Sequence, residues 1–374
     1  MNILCLDQFS ELGGAQRCLL ELLPAFTNRG WRAHLAAPSN GELFRRASVL
    51  GASTDRIRCG PYSSGRKSLA DMARFAWEAP RLAREIRALV RRYDTDLIYV
   101  NGPRLLPAVA LATRYGPPVL FHSHSFLDGY ARQLAGRSLS MARAALVASC
   151  GFVALPLEPY CRDRGMRVVY NGVRQMAPAN RARTALDPEA EFRIGVIGRI
   201  SPEKGQADFL RAARMLHENL PRCRFLVCGA PLFSDPAAMR YRAELEAQAE
   251  GLPVEFAGWQ EDIDGVLANL DLLVVPSTAV DATPRVILEA FAAGVPVLAF
   301  ASGGIPEIVE HDVTGFLVEE RSPRALASAI QGLLREPHRM REVAECALAK
   351  ACGEFSLARY QEEMLQAIEA AQRG

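Results

Sequence analysis

Charged residues stand beside glycine, at the ends of apolar runs, in two stretches of the second half of the chain. In FRIGVIGRISPEKG, Arg199 and Lys204 follow a strand-like run and precede the helix-like QADFLRAARML. That layout brings two cations to a helix N-terminus, where free N–H groups and the dipole favour anions. It is not a Walker A loop, because G-x-x-x-x-G-K-[ST] is absent. Three lysines (Lys67, Lys204 and Lys350) stand against forty-one arginines. A chain that otherwise writes positive charge as arginine writes lysine at 204, where a compact point charge suits a phosphate. The plainer alternative is a surface cation beside a helix. The second stretch, STAVDATPRVILEAFAAGVPVLAFASGGIP, carries Asp281 and Glu289 eight positions apart. Thr283 and Pro284 fit an N-cap and a first helical position, the helix VILEAFAA closes on Gly294, and Gly303-Gly304 precede a second helix start. On spacing alone Asp281 reads as a capping or loop residue and Glu289 as a solvated helix face. The other reading turns both toward a ligand held at the two helix N-termini.

The elements that must position these residues alternate along the whole chain. ILCLDQF, WRAHLAAP, DLIYV and PVLFHSH read as parallel strands in the first half, with GFVALPL and MRVVYNGV closing it after a helix around Leu139–Ala148. FRIGVIG, CRFLVCGA, VEFAGW, DLLVVPS, VPVLAF and GFLVEE repeat the pattern in the second half, and a last helix lies within Phe355–Ala371. Ligands gather at strand carboxyl ends in such sheets. Gly13-Gly14, between the first strand and its helix, therefore marks either an anion cradle or a plain turn. His122 and His124 end the strand PVLFHSH, and their i, i+2 spacing is expected to point them to opposite sides, leaving only one of them facing the strand-end region. Asp262-x-Asp264 opens a helix and reads as a cap rather than a metal ligand.

A length of 374 residues indicates two domains: 1–174, a Pro/Ala/Arg-rich linker 175–190, then 191–354, with 355–374 as a final helix. The net charge of +2 hides a split. Residues 1–174 carry eleven excess positive charges, and residues 175–374 carry nine excess negative ones. The basic half points to an acidic acceptor, an anionic membrane surface, or attraction between the halves. Within it, Arg66–Arg92 is a basic helical segment whose Phe75 and Trp77 could lie on lipid headgroups, or else an ordinary arginine-rich solvated helix. Nucleic acid is disfavoured, since no aromatic-basic stacking pattern appears. The amino terminus has no basic n-region, and the apolar run Ala144–Leu157 falls short of the roughly 20 residues of a membrane span. Nine cysteines without metal-ligand spacing fit a reducing cytoplasm.

The G-R-x4-K-G run from Gly198, the paired acids Asp281 and Glu289 with the A-A-G-V-P-V turn after them, and the Asn171-Gly172-Val173 end of the first half together resemble family 4 retaining glycosyltransferases. The strongest likeness covers about residues 192–320. That family usually has glutamate where Asp281 stands. The resemblance implies the α/β GT-B fold: two Rossmann-like doubly wound domains facing across a cleft, with a C-terminal helix crossing back to the first. It implies a nucleotide-sugar donor on the second domain, an acceptor on the first, and metal-free transfer of a hexose-type sugar with retention, without a cofactor. Arg199 and Lys204 would hold the donor diphosphate with the N–H groups near Gly303 and Gly304, and Gly13 and Gly14 would present backbone from the other domain. Glu289 would accept the ribose hydroxyls. Asp281 would lie near the donor sugar, with the backbone of Ala282, Thr283 and Pro284 lining the same place. His124, six residues after Pro118 as in relatives, would bond the donor sugar or phosphate. The acceptor is a glycan, a lipid-linked glycan or a small molecule, and cell-surface glycan synthesis in the cytoplasm, peripheral to the membrane, is the expected setting. A phosphorylase or isomerase on the same fold, a non-catalytic nucleotide-sugar-binding protein, and a membrane-binding module are the competing expectations.

Overall fold

The computed structural model describes residues 1–60, 69–161, 165–176, 191–218, 220–231 and 236–373. These divide into two compact units, Met1–Asn171 with Ala358–Gly374, and Gly172–Leu357. Most of the expected linker, residues 177–190, lies outside the described residues.

In the first unit seven strands form one parallel sheet: β1 (Asn2–Asp7), β2 (Arg32–Ala37), β3 (Ser53–Arg56), β4 (Leu97–Asn101), β5 (Val119–Ser123), β6 (Ala145–Ala148) and β7 (Met166–Val168). Their order is β3-β2-β1-β4-β5-β6-β7. The chain starts at β1, runs outward to β3, then returns to the other side of β1, so the topology reverses between β1 and β4. The apolar runs explain the strands. Leu97–Asn101 and Val119–Ser123 are buried at every position, as a sheet covered on both faces requires.

Two sequence expectations fail here. GFVALPL is not a strand. Gly151–Ala154 makes a short helical turn after the extended Cys150, and the strand before it is Ala145–Ala148. A run of four to eight apolar residues has no period that distinguishes a strand from a buried helical turn. The preceding helix accordingly stops at Ala142, where Arg143 takes the left-handed conformation. The basic segment forms the helix Leu69–Arg92. Residues 61–68 and the side chain of Phe75 lie outside the described residues. Trp77 is exposed, with the Arg81 guanidinium 3.4 Å over its ring.

The second unit repeats the plan with β8 (Phe192–Ile197), β9 (Cys223–Cys228), β10 (Val254–Gly258), β11 (Leu272–Val275), β12 (Val297–Phe300) and β13 (Phe316–Val318), in the order β10-β9-β8-β11-β12-β13. Every pairing is parallel. The helix Gln206–His217 covers β8 and β9 through Phe209, Leu210 and Ala213, and the Phe209 and Phe225 rings meet edge to face at 5.9 Å. Each fully buried leucine or phenylalanine of this core contributes about 1.5–3 kcal/mol relative to exposure. The topology reverses between β8 and β11.

The last helix, Leu357–Arg373, returns to the first unit. Its Tyr360, fully buried, donates to the Cys18 carbonyl at 3.3 Å, and Gln361 donates to the Glu21 carbonyl at 2.7 Å. Arg359 donates to the Tyr170 carbonyl at 2.6 Å. Among the described residues, no helix is long and apolar enough to cross a membrane.

Candidate active site

Three loops at the carboxyl ends of β8, β11 and β12 meet at the reversal point of the second sheet. The β8 loop is shaped by glycine. Gly205 holds φ +73°, and a Cβ there would stand 1.8 Å from the Pro276 carbonyl oxygen. Only glycine allows this approach of the β8 loop to the β11 loop. Thr278 fastens the same pair, donating its N–H to the Glu203 carbonyl at 3.0 Å and its hydroxyl to the Pro202 carbonyl at 3.1 Å. Lys204 ends a single 3-10 turn, Pro202–Lys204, just before the helix that Gly205 opens. Its Nζ lies 2.6 Å from Asp281 Oδ2, which also accepts the Ser277 hydroxyl at 2.8 Å. Arg199 pairs with Glu203 on the same loop, while buried Gln206 donates to the Arg199 carbonyl at 2.7 Å.

The β12 loop closes on the same aspartate through its backbone. Gly304 donates its N–H to the Asp281 carbonyl at 2.9 Å, and Ser302 donates its hydroxyl to the Ala279 carbonyl at 2.7 Å. Asp281 therefore does not cap the following helix. That helix spans Arg285–Ala292 with Pro284 at its N-cap, one residue later than Thr283 and Pro284 would place it. Pro284 has an extended ψ of 113°, so the first helical turn begins after it. Thr283 is buried and Ala282 half-buried beside it. Glu289 lies inside the helix and is largely buried rather than on a solvated face, with Arg285 Nε 3.7 Å from its Oε1. The arrangement gathers two cations, Arg199 and Lys204, with a carboxylate and two glycine-rich turns at strand ends, a setting suited to a diphosphate and its attached hydroxyls.

Asp262 caps Ile263–Ala268 by accepting the Gly265 N–H at 2.9 Å. Among the described residues no group of three or more His, Cys, Asp or Glu side chains is placed to hold a metal ion.

His124 and Gly13-Gly14 belong to the first unit. Gly13 precedes the helix Gly14–Asn28, and its N–H donates to Gln16 Oε1 at 3.1 Å. The two histidines do not point to opposite sides. Residues two apart on a strand share a face, and the rings stand 3.8 Å apart between centroids. His122 is buried, with Nδ1 2.6 Å from the Tyr99 hydroxyl, and burial followed by the nearby His124 charge drives its pKa well below the ordinary value. His124 is half-buried, with Nε2 2.9 Å from Asn101 Oδ1.

Sequence reasoning passed over Asp7, Gln16, Asn101 and Ser277. Asp7 carries a signal: it is a lone carboxylate closing the apolar run ILCLD at the carboxyl end of the first strand. Burial pushes its pKa up to about 6, against hydrogen bonds from Phe9, Asn101, Gln16 and Gln8 that lower it. Of the other three, Asn101 meets Asp7 across 94 positions, whereas Gln16 and Ser277 reach their carboxylates across nine and four.

The two parts of the chain match two family models in turn. Residues 12–175 match the model described as Glycosyltransferase Family 4, and residues 179–348 match Glycosyl transferases group 1. The D-inositol 3-phosphate glycosyltransferase of Segniliparus rotundus is 32% identical over 198 residues, which cover 52% of this chain and 43% of that protein. A putative colanic acid biosynthesis glycosyltransferase of Escherichia coli, WcaL, is 29% identical over 150 residues, 38% of this chain and 36% of its own. The matches thus span less than half the length of these curated relatives. Among solved structures, HepE of Anabaena, in complex with UDP and with UDP-glucose, aligns with TM-scores of 0.81 and 0.80 at 25% identity. Those alignments cover 99% of this chain and 100% of HepE. With the two family models lying end to end over both sheets and the HepE fold shared along its length, the chain belongs to the family 4 glycosyltransferases and has the GT-B fold.

Proposed function

We propose that the protein is a retaining glycosyltransferase that moves a hexose-type sugar from a nucleotide-sugar donor to an acceptor hydroxyl without a metal ion. The observation that carries this reading is the joining of the β8, β11 and β12 loops around Lys204 and Asp281, with Arg199 on the same β8 loop, paired with Glu203. Departure of a nucleoside diphosphate builds negative charge on the leaving phosphate while the sugar becomes oxocarbenium-like. Fixed cations and backbone N–H groups at that phosphate lower the barrier more than any other single device. Arg199 and Lys204 are suited to this, while the Gly304 N–H is already given to the Asp281 carbonyl and holds the β12 loop beside them. Glu289 is suited to accept ribose hydroxyls. Asp281, with the backbone of Ala282, Thr283 and Pro284, would face the donor sugar; His124 and Gly14 are suited to contact a ligand at the strand ends of the first unit. Asp281 Oδ2 is engaged by both Lys204 and Ser277, which disfavours it as a covalent nucleophile, so approach of the acceptor from the face the phosphate leaves, with that phosphate taking the hydroxyl proton, is the preferred route over double displacement. HepE binds UDP-glucose, which supports a UDP-sugar as the first donor to try. The E. coli relative's name supports a cell-surface glycan as the product class.

Incubation with UDP-, GDP- and ADP-sugars and a panel of glycan, lipid-linked and small-molecule acceptors tests this. Proton NMR of the product should show the anomeric configuration of the donor preserved, with EDTA without effect. An inverted product, or activity abolished by EDTA and restored by a divalent cation, would overturn the corresponding part. A second reading, a nucleotide-sugar-binding protein without turnover, is favoured by Asp281 Oδ2 being held by both Lys204 and Ser277. Saturable binding with no product across the whole panel would favour it.

A further inference from the structure

At the reversal point of the first sheet, between β1 and β4, lies a buried carboxylate to which the reading above gives no role. Asp7 is fully buried at the end of β1. Its Oδ1 accepts from Gln16 Nε2 at 2.8 Å and from the Phe9 N–H at 2.9 Å. Its Oδ2 accepts from Asn101 Nδ2 at 2.6 Å. A carboxylate can only accept, so both amides must turn their NH2 groups toward it. For Asn101 the choice is reinforced by a second bond from Nδ2 to the Ala15 carbonyl at 3.1 Å. Asn101 Oδ1 is then an acceptor, and its 2.9 Å contact with His124 Nε2 requires the proton to sit on Nε2. For Gln16 the same logic leaves Oε1 to accept the Gly13 N–H at 3.1 Å. One carboxylate thereby orients both parts of the first unit singled out from sequence, the histidine and the glycine turn.

We propose that Asp7 is a positioning residue for His124: acting through Asn101, it holds the imidazole with its proton on Nε2 and its lone pair on Nδ1. This rests on His124 being a ligand-contacting residue: which ring nitrogen carries the proton decides whether His124 offers its ligand a donor or an acceptor.

Asp7→Asn tests it. The new side chain must keep its oxygen toward the Phe9 N–H, because a backbone donor cannot turn around. Its NH2 therefore faces the Asn101 NH2, donor against donor. Flipping Asn101 relieves this and offers NH2 to His124 at the cost of the 3.1 Å bond to the Ala15 carbonyl, so the influence of Asp7 on Asn101 must outweigh that bond. The imidazole proton then moves to Nδ1. Nitrogen-15 NMR of the imidazoles, with His124 picked out from the six histidines by its loss in His124→Gln, reads the tautomer directly. The wild type should show His124 protonated on Nε2, and Asp7→Asn should show it on Nδ1. Turnover should fall about tenfold with donor KM little changed, since one misdirected hydrogen bond is at stake. Protonation on Nδ1 in the wild type overturns the proposal even if the variant fails to fold. So does an unchanged tautomer in Asp7→Asn, or unchanged turnover in a variant whose tautomer has moved while His124→Gln is impaired. If His124→Gln keeps wild-type turnover, the ligand role of His124 falls, and the tautomer result still decides what Asp7 does to the ring.

Discussion

Gly303→Ala probes the joint between the β12 loop and Asp281. Gly303 holds φ +58°, and an added Cβ would lie 2.0 Å from the Asp281 carbonyl oxygen and 2.9 Å from its carbon. The left-handed conformation costs a residue with a side chain about 1–2 kcal/mol. The overlap is with backbone, so it is relieved only by moving residue 281. That movement breaks the 2.9 Å bond from the Gly304 N–H to the Asp281 carbonyl, a loss of about 0.5–1.5 kcal/mol. The sum is about 1.5–3.5 kcal/mol, which lowers the melting temperature of a unit this size by about 3–14 °C. Because Asp281 carries the Lys204 contact, nucleotide affinity falls with it. Thermal melts and UDP titrations of the variant are the assay, with Gly332→Ala as control. A Cβ at Gly332, inside the helix Pro323–Leu333, meets nothing within 4 Å, so that change should be neutral or stabilise by up to about 1 kcal/mol. A Gly303→Ala protein that melts and binds UDP like the wild type would refute the reasoning.

Glu289→Ala should raise the donor KM about tenfold, as loss of a carboxylate–hydroxyl bond implies, with kcat changed less; steady-state kinetics in donor concentration reads this. Retention of the wild-type KM would remove Glu289 from donor recognition. Asp7 makes a pH prediction whose sign follows from its raised pKa. The folded protein keeps that proton up to about pH 6, whereas an unfolded aspartate releases it near pH 4. Between those values the folded state binds more protons, so the Asp7 contribution lowers stability as pH rises, by about 3 kcal/mol in all. Urea midpoints of wild type and Asp7→Asn should therefore converge in the variant's favour from pH 4 to pH 7, and a stability difference that stays constant with pH would contradict the assignment.

The alternation of apolar runs made the two parallel sheets legible, because strands buried on both faces are written as continuous Leu/Ile/Val segments such as DLLVV and VPVLAF. GFVALPL broke the rule, since a short apolar run also suits a buried helical turn. At the site, Arg199 and Lys204 could be read from glycine and lysine placement on one loop. The partner of Lys204 could not, since Asp281 lies 77 positions away and is brought there by the adjacency of β8 and β11. The same holds for Asn101, which reaches Asp7 only because β4 pairs with β1. His122 and His124 were misjudged for a different reason. The period of a strand is two, which sets both rings on one face.

The central claim is that the cations at the end of β8 hold a nucleoside diphosphate. Calorimetric titration of UDP, GDP and ADP into the wild type, Arg199→Ala and Lys204→Ala, each with and without EDTA, tests it most directly. One nucleotide should bind the wild type, with affinity lowered about 10–100-fold in either variant, as loss of a charged hydrogen bond implies, and with EDTA making no difference. Equal affinity in wild type and both variants, or no binding of any of the three to the wild type, would contradict it.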